Sequence, residues 1–245
     1  MFKQKFINKK TVYYSDLIPE IEHFFTTREI SVDDNFEVIC KYLDIGIDEL
    51  IHPTQTHSAN VSIVTDGKFD YPETDALILT NFNQALYLRF ADCTPVILYD
   101  KKANIGAIAH AGWRGTVGRI VPKTAKKMMS YTHSDINDIY AVIGPAIGGC
   151  CYCVGDEVIE GINKSVISNN GLFIEKSDGI YVDLKKVNSR QLEEMGVPRK
   201  NIDICPYCTS CRNDLFYSYR KENGTVYRHN AVIKLKENST SATKV

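Results

Sequence analysis

The sequence predicts an α/β fold in a single domain. Short apolar runs rich in strand-forming residues alternate with segments of helical periodicity, and no repeat of fixed period occurs. Hydrophobic residues make up 44% of the chain and charged residues 24%, which is the composition of a globular protein with its own core. The 245 residues contain no Pro-, Gly- or Ser-rich stretch that would separate two domains. We therefore expect one domain over residues 1–236.

One helix and five strands are predicted in the first half of the chain. Apolar residues between positions 36 and 43 are spaced to share one helical face, and Asp33 or Asp34 is suited to the N-terminal cap. The strand-like runs that follow, several of which end at Gly, Pro or Asp, cover residues 60–65, 75–80, 85–90, 95–99 and 105–109.

Two helices are predicted in the second half. A helix from about Arg119 to Tyr131 is consistent with Pro122, because proline is tolerated in the first turn of a helix. A later helix runs from about Asp183 to Met195, and Gly196 occupies its C-terminal cap.

The C-terminal segment predicts strands and a tail. Residues 216–220 and 225–235 flank an Asn-Gly pair, a sequence typical of a β-hairpin. Residues 237–245 are polar, and we expect them to form a disordered tail.

Charge and apolar content exclude several classes of function. Lys and Arg number 29 against 30 Asp and Glu, so a net charge of −1 provides no basic coat for nucleic acid or anionic membranes. The longest mostly apolar stretch, residues 141–155, is too short to cross a bilayer, and the first ten residues lack the apolar segment of a secretory signal. We expect a cytoplasmic protein with no nucleic-acid or membrane partner, in which the eight cysteines are thiols.

Three loops at or just past the ends of apolar runs carry the candidate chemistry. They supply His57, Cys93 and His110. Two imidazoles and one thiolate suit zinc, and three protein ligands with an open fourth position are the arrangement of a catalytic zinc. The alternative is that the histidines are ordinary polar residues of loops and that Cys93 is a small buried apolar residue.

Neighbouring residues favour a functional site at these loops. Gly112 and Gly115 flank Trp113 and Arg114, as expected where the backbone approaches a ligand closely. Asp92 is a candidate to orient an imidazole or to carry a proton. The Walker A and HExxH motifs are absent, and six histidines are too few for a conventional blue laccase.

Six further cysteines form two trios. They are Cys150, Cys151 and Cys153, and Cys205, Cys208 and Cys211. The C-x2-C-x2-C spacing of the second trio is compatible with a structural zinc or iron–sulfur site, but each trio lacks a fourth ligand and a second knuckle. We expect buried or loop thiols, of which one in each trio could be reactive.

The motifs taken together resemble those of a known family. The segments concerned are Gln55-Thr56-His57, Thr74-Asp75-Ala76-Leu77, Ala91-Asp92-Cys93-Thr94-Pro95-Val96, His110-Ala111-Gly112-Trp113-Arg114-Gly115, Gly144-Pro145-Ala146-Ile147-Gly148, Tyr152 with Val154-Gly155, Cys208-Thr209, and Phe216-Tyr217-Ser218-Tyr219-Arg220. In order and spacing, over about residues 24–235, they are similar to the laccase-domain (YfiH-type) family of polyphenol oxidases and purine nucleoside phosphorylases. Residues 24–28 keep only part of the family's N-terminal segment, which leaves the substrate range open.

The resemblance implies a fold, a metal and a reaction. The fold is a layered α/β/β/α domain with mixed sheets, and zinc would be bound by His57, Cys93 and His110, with copper as the alternative. The implied reaction is phosphorolysis of adenosine, inosine, guanosine and methylthioadenosine. Adenosine deamination, copper-linked phenol oxidation and editing of peptidoglycan precursors are also attributed to the family.

A zinc-dependent purine nucleoside phosphorylase is therefore the leading hypothesis, with a nucleoside and phosphate as partners. Cys93, His110 and Asp92 are the candidate catalytic residues. The candidates for binding substrate or phosphate are Arg28, Gln55, Arg114 and Arg220. Each arginine could instead be a solvated surface charge or part of a structural ion pair.

Two other classes of function are compatible with the same residues. In a Cys-His hydrolase, Cys93 would be a thiolate nucleophile and His110 its base, with no metal required. In a binding module, a metal would only hold the loops together. The sequence leaves the oligomeric state open.

Overall fold

Two six-stranded sheets form the frame of the protein. We describe them from a computed structural model, over residues 1–30, 32–65, 67–68 and 70–237, without the side chains of residues 32–35. The first sheet has the spatial order β1 (Phe2–Ile7), β2 (Lys10–Ser15), β3 (Glu22–Thr26), β15 (His229–Lys234), β7 (Ala85–Phe90) and β4 (Leu50–Ile51). The second sheet has the order β14 (Ile202–Ile204), β10 (Ile139–Ile143), β8 (Thr94–Asp100), β9 (Ile105–Ala111), β6 (Ala76–Leu79) and β5 (Val61–Ile63).

Both sheets are mixed. The pairs β4–β7, β5–β6 and β10–β14 are parallel, whereas the other neighbours in these two sheets are antiparallel. A small third sheet has the order β11 (Cys153–Val154), β13 (Gly179–Val182) and β12 (Phe173–Lys176).

Helices cover the outer faces of the two large sheets. The helices are α1 (Val32–Leu43), α2 (Trp113–Val117), α3 (Ile120–Thr132), α4 (Asp156–Ser165) and α5 (Leu184–Met195). Helix α1 packs on the first sheet, and α3 and α5 pack on the second. The main core lies between the two sheets. The predicted α/β/β/α layering with mixed sheets is therefore confirmed.

Strand β9 shows how the sequence separates the layers. Alternate residues of a strand point to opposite faces, and here Ala107 and Ala109 pack under the helices while Ile108 faces the other sheet. The small alanines let helix α3 lie close to the sheet. By the same alternation, His110 projects between the sheets, near the end of the strand.

The two helices predicted in the second half form at their expected positions. Helix α3 begins one residue after Arg119, and helix α5 begins after Asp183, whose side chain accepts a hydrogen bond from the Lys185 amide. Gly196 ends α5 with a φ of 105°, in the left-handed region that favours glycine.

The predicted hairpin around residues 216–235 is wrong. Residues 216–220 form turns rather than a strand, because the Ser218 amide and the Arg28 side chain both bind Glu222 and fold the segment onto itself. Strand β15 pairs with β3 and β7 instead.

Two further expectations concern the ends and surfaces of the chain. Helix α1 begins at Val32, which places Asp33 and Asp34 inside its first turn rather than at the expected N-terminal cap. Residues 238–245 of the predicted tail lie outside the described part of the structure. Within the described part, no helix has the length and apolar character needed to cross a bilayer.

Candidate active site

Three potential metal ligands converge although they are far apart in sequence. His57 lies in the loop between β4 and β5, Cys93 lies where the chain passes from β7 of the first sheet to β8 of the second, and His110 lies in β9. Their donor atoms are all within 4.8 Å of one another. His110 is buried, Cys93 is half-buried and His57 is exposed, so the group opens to solvent on one side.

The buried Asp75 carboxylate orders this group. One oxygen lies 2.8 Å from His110 Nδ1 and also accepts the His57 backbone amide at 3.0 Å. The other accepts the backbone amide and the hydroxyl of Ser58, each at 2.7 Å. Burial opposes ionisation of Asp75, but the hydrogen bonds from His110 and Ser58 outweigh it and lower its pKa. Asp75 therefore fixes both the His110 ring and the loop that carries His57.

Cys93 and His110 change each other's ionisation. Burial alone would raise the pKa of Cys93, but the charges of His110 and His57 lower it to about 6. Burial alone would lower the pKa of His110, whereas the Cys93 thiolate and Asp75 raise it to about 9. The thiol is thus prepared to be a thiolate, the form that binds metals and attacks electrophiles.

Gly112 leaves space for the donors. A Cβ at this position would lie 2.9 Å from Cys93 Sγ and 3.3 Å from His57 Cδ2. Any larger residue would displace at least one of these side chains, which is the close approach that the sequence indicated.

The donors lie in a cleft of about 840 Å³. Its other walls include aromatic and cationic side chains, among them Tyr87, Trp113, Tyr152, Arg89, Arg220 and Arg228. A flat apolar ring and an anion can both be accommodated next to the donor group.

Comparisons with known proteins identify the family. Residues 25–236 match the family model described as multi-copper polyphenol oxidoreductase laccase. The chain belongs to this family. Among the described residues, one group of three or more potential metal ligands contains histidine, and it is the group of His57, Cys93 and His110.

Individual relatives carry enzyme names. The chain is 35% identical, over 85% of its length and 80% of the relative's, to purine nucleoside phosphorylase YlmD of Geobacillus stearothermophilus. It is also 35% identical, over 73% of its length and 72% of the relative's, to adenosine deaminase RL5 of an unknown prokaryotic organism. The crystal structure of YlmD from Geobacillus stearothermophilus superposes with a TM-score of 0.86 at 30% identity, covering 92% of this chain and 96% of that one. The chain is therefore an enzyme of the laccase-domain family.

Among the other sequence-predicted residues, Gln55, Asp92 and Arg220 line the cleft of this laccase-domain protein. Gln55 exchanges two hydrogen bonds with the Arg89 backbone. Asp92 has a φ of 81° and accepts hydrogen bonds from the Thr209 hydroxyl at 2.6 Å and the Arg220 amide at 2.7 Å. The carboxylate that orients an imidazole is therefore Asp75, and the expectation that Asp92 does so is corrected.

Arg28 and Arg114 do not line the cleft. Arg28 forms an ion pair with Glu222 and stacks on Tyr217, with 4.4 Å from its guanidinium carbon to the ring centre. Arg114 lies over the indole of Trp113, also at 4.4 Å. Arg28 thus resembles the structural ion pair that the sequence left open as the alternative.

Several residues that the structure places at the site could not be assigned from the sequence. Asp75 could have been noticed as a carboxylate immediately before an apolar strand. Tyr152 belongs to a recognised motif but has no chemical signature of its own. Arg89 and Arg228 lie in otherwise ordinary stretches and gave no signal.

Proposed function

We propose that this protein is a zinc-dependent purine nucleoside phosphorylase acting on adenosine, inosine, guanosine and methylthioadenosine. The observation that carries the proposal is the convergence of His57, Cys93 and His110 in a cleft that also holds aromatic and cationic side chains. The name of the Geobacillus relative supports the reaction class.

The donor set fits a single zinc ion. Two imidazoles and a thiolate leave one tetrahedral position for a further ligand, and Asp75 holds His110 through Nδ1 so that Nε2 is available to the metal. When bound, zinc would supply Lewis acidity toward an oxygen of phosphate or substrate. Copper accepts the same donors and is the alternative metal.

The cleft provides for both substrates. Trp113 and Tyr152 offer apolar surface against which a purine can pack. Arg220 is exposed in the cleft, its amide is held by Asp92, and its guanidinium donates to the Cys153 carbonyl at 3.2 Å. We assign Arg220 to phosphate, and Asp92 to positioning Arg220 rather than to proton transfer.

The proposed reaction is a displacement at the ribose. A phosphate oxygen forms a bond to the anomeric carbon as the bond from that carbon to the purine nitrogen breaks. The bonding electrons leave with the purine, which takes up the proton that the attacking hydrogen phosphate releases, and ribose 1-phosphate is the second product. Arg220 would keep the phosphate in line with the anomeric carbon and offset its charge.

Product analysis tests the proposal directly. Inosine and adenosine are incubated with zinc-loaded protein, with and without phosphate, and the products are separated. We expect free base and ribose 1-phosphate only when phosphate is present, and loss of turnover after chelation. Equal turnover with and without phosphate would contradict the phosphorylase assignment.

Two arginine variants test the role of Arg220 in binding phosphate. We expect Arg220→Met to raise the KM for phosphate roughly 10- to 100-fold, which is the usual value of a charge-assisted hydrogen bond. Arg114→Met is the matched control, because Arg114 lies outside the cleft lining, and its KM for phosphate should stay near that of the wild type. A larger increase of the KM for phosphate in Arg114→Met than in Arg220→Met would assign phosphate binding to Arg114 instead.

Adenosine deamination is a second candidate, because a relative of equal identity is named for it. In that reaction water replaces the amino group of the purine, and ammonia and inosine appear from adenosine without phosphate. Release of ammonia in the phosphate-free incubation distinguishes deamination from phosphorolysis in the same experiment.

The ionisation of Cys93 and His110 favours one further alternative, a metal-free Cys-His hydrolase. Metal content and covalent chemistry distinguish it. An active metal-free protein that forms a covalent adduct at Cys93 would replace the zinc proposal. Oxygen consumption that scales with copper loading would instead favour a phenol oxidase.

We also propose a cytoplasmic location, which suits a chain whose eight cysteines are all free.

A further inference from the structure

Four cysteines from the two trios lie together at a second place in the fold. The Sγ atoms of Cys150, Cys151, Cys208 and Cys211 are all within 4.8 Å of one another. Cys153 and Cys205 are not part of the group. The expectation that each trio lacks a fourth ligand is therefore replaced, because each trio contributes two sulfurs to one cluster.

The separations of these sulfurs suit a shared ion. Cys211 Sγ lies 3.4 Å from Cys151 Sγ and 3.5 Å from Cys150 Sγ. Sulfurs bound tetrahedrally to zinc at about 2.3 Å are about 3.8 Å apart. The sulfurs of an iron–sulfur cluster bind different irons and lie farther from one another, so the compact group favours one ion.

The backbone around the cluster is built for close approach. The Gly148 amide donates to Cys208 Sγ at 3.2 Å, a hydrogen bond that stabilises a thiolate. A Cβ on Gly148 would lie 3.3 Å from Cys208 Cβ and 3.4 Å from Cys150 Sγ. Thr209 donates its amide to the Ala146 carbonyl at 3.0 Å, which holds the two loops side by side.

We propose that Cys150, Cys151, Cys208 and Cys211 form a second, structural zinc site. It joins the loop after β10 to the loop after β14 by metal–thiolate bonds. No residue of this site takes part in the proposed reaction, so the inference goes beyond the proposed function and does not depend on it.

The position of the cluster explains what the ion would stabilise. Ile147 and Tyr152, on either side of the first cysteine pair, line the active-site cleft. Thr209, next to Cys208, hydrogen-bonds Asp92. A zinc ion at the cluster would therefore brace one wall of the cleft without facing the substrate.

Metal analysis of four cysteine variants tests the proposal. Protein is prepared under reducing conditions with zinc present, and bound zinc per chain is measured after gel filtration. We expect two equivalents for the wild type, one for Cys93→Ser, one for Cys211→Ser and none for the double variant. Cys153→Ser, a neighbouring thiol outside both groups, is the matched control and should retain two.

A second measurement avoids any folding defect of Cys211→Ser. The Cys93→Ser variant keeps all four cluster thiols, and we titrate it with Co²⁺ in place of zinc. We expect one equivalent to give the intense visible bands and near-ultraviolet charge-transfer bands of tetrahedral cobalt thiolate, and one equivalent of zinc to abolish them.

Several results would overturn the second site. They are a Cys93→Ser protein that binds no metal, a Cys211→Ser protein that still holds two equivalents, iron with acid-labile sulfide, or a disulfide between cluster cysteines in the reduced preparation. None of them bears on phosphorolysis, which is measured separately with inosine and phosphate. The two proposals therefore fail independently.

Discussion

Asp75 shows how much of the site depends on a residue outside the proposed donor set. Its two oxygens hold the His110 ring, the His57 amide, and the amide and hydroxyl of Ser58. The carboxylate is fully buried, so these bonds are not shared with solvent. Asp75 is a positioning residue that sets the direction of one imidazole and the path of the loop carrying the other.

Replacing Asp75 by Asn tests this role. An amide of the same shape cannot accept all of these hydrogen bonds, so we expect zinc affinity at the His-Cys-His site to fall about 10- to 100-fold. The measurement is a competition titration with a chromophoric chelator.

Asp100→Asn is the control for Asp75→Asn. Asp100 is equally buried, and it binds the Ala103 amide and the Thr132 hydroxyl away from the cleft. The Asp100→Asn protein should be less stable than the wild type but should bind zinc with the same affinity. Equal losses of affinity in both variants would show that Asp75 acts only through general stability.

Gly112→Ala tests the packing of the donors. The added methyl would lie 2.9 Å from Cys93 Sγ, so we expect reduced zinc occupancy and turnover with a small change in Tm. Gly155→Ala is the control, because a Cβ there meets nothing within 4 Å. Full zinc occupancy in Gly112→Ala would mean that Cys93 is not a ligand in this geometry.

The sequence allowed the three donors to be predicted, but not Asp75. Imidazoles and thiolates at strand ends have a recognisable chemistry. The role of Asp75 rests largely on backbone amides of another loop, and amides have no sequence signature. The ion pair of Arg28, which the sequence left open as an alternative, could not be assigned for a related reason, since its partner Glu222 lies far along the chain.

Among the elements, helix α5 holds two segments next to the candidate sites in place. Asn188 and Gln191 donate to Thr116 in α2, the short helix that follows the loop of His110. The buried Lys185 ammonium donates to the carbonyls of Cys205 and Tyr207. The helix therefore anchors both the segment after the first donor group and the segment before the second cysteine pair.

The cap of α5 gives a prediction of stability. Asp183→Ala removes the acceptor for the Lys185 amide at 3.0 Å, and we expect the free energy of unfolding to fall by about 1 kcal/mol. Chemical denaturation measures this change. Lys186→Ala, an exposed substitution in the same turn, should lie within about 0.5 kcal/mol of the wild type. An unchanged free energy of unfolding in Asp183→Ala would contradict the capping role.

Helices were predicted more accurately than strand partners. The end of α5 could be predicted from Asp183 and Gly196, because caps are local chemistry. The apolar run of β15 was recognised as a strand, but its neighbours β3 and β7 lie far away in sequence. The Asn-Gly pair favoured a local hairpin, and interactions of residues 216–222 with distant groups determined the structure instead.

At the scale of the whole molecule, His23 and His229 are buried in surroundings that disfavour the charged imidazole. Burial lowers the pKa of His23 to about 4 and that of His229 to about 3. Both belong to the first sheet, and His229 packs against Phe90 and Phe216. In the unfolded chain each imidazole would take up a proton near pH 6.5.

Stability should therefore decrease as the pH falls below about 6.5. Between that pH and the lowered pKa values, the unfolded chain binds more protons than the folded one, so acid favours unfolding. For His229 alone we expect a loss of about 2 kcal/mol between pH 7 and pH 5, measured by urea unfolding.

His229→Phe separates this effect from other titrations. The variant retains every other ionisable group, including those of the metal site, and its unfolding free energy should depend less on pH than that of the wild type. Identical pH profiles for the two proteins would mean that His229 does not remain neutral when buried.

The place of β15 in the middle of the first sheet has a consequence for biosynthesis. This strand fills the gap between β3 and β7, and about 200 residues separate it from β3. A nascent chain leaving the ribosome would expose both unfilled edges until translation has passed Lys234. Ribosome stalling before that point would leave a chain prone to edge-to-edge aggregation, which makes chaperone binding during synthesis an advantage for this fold.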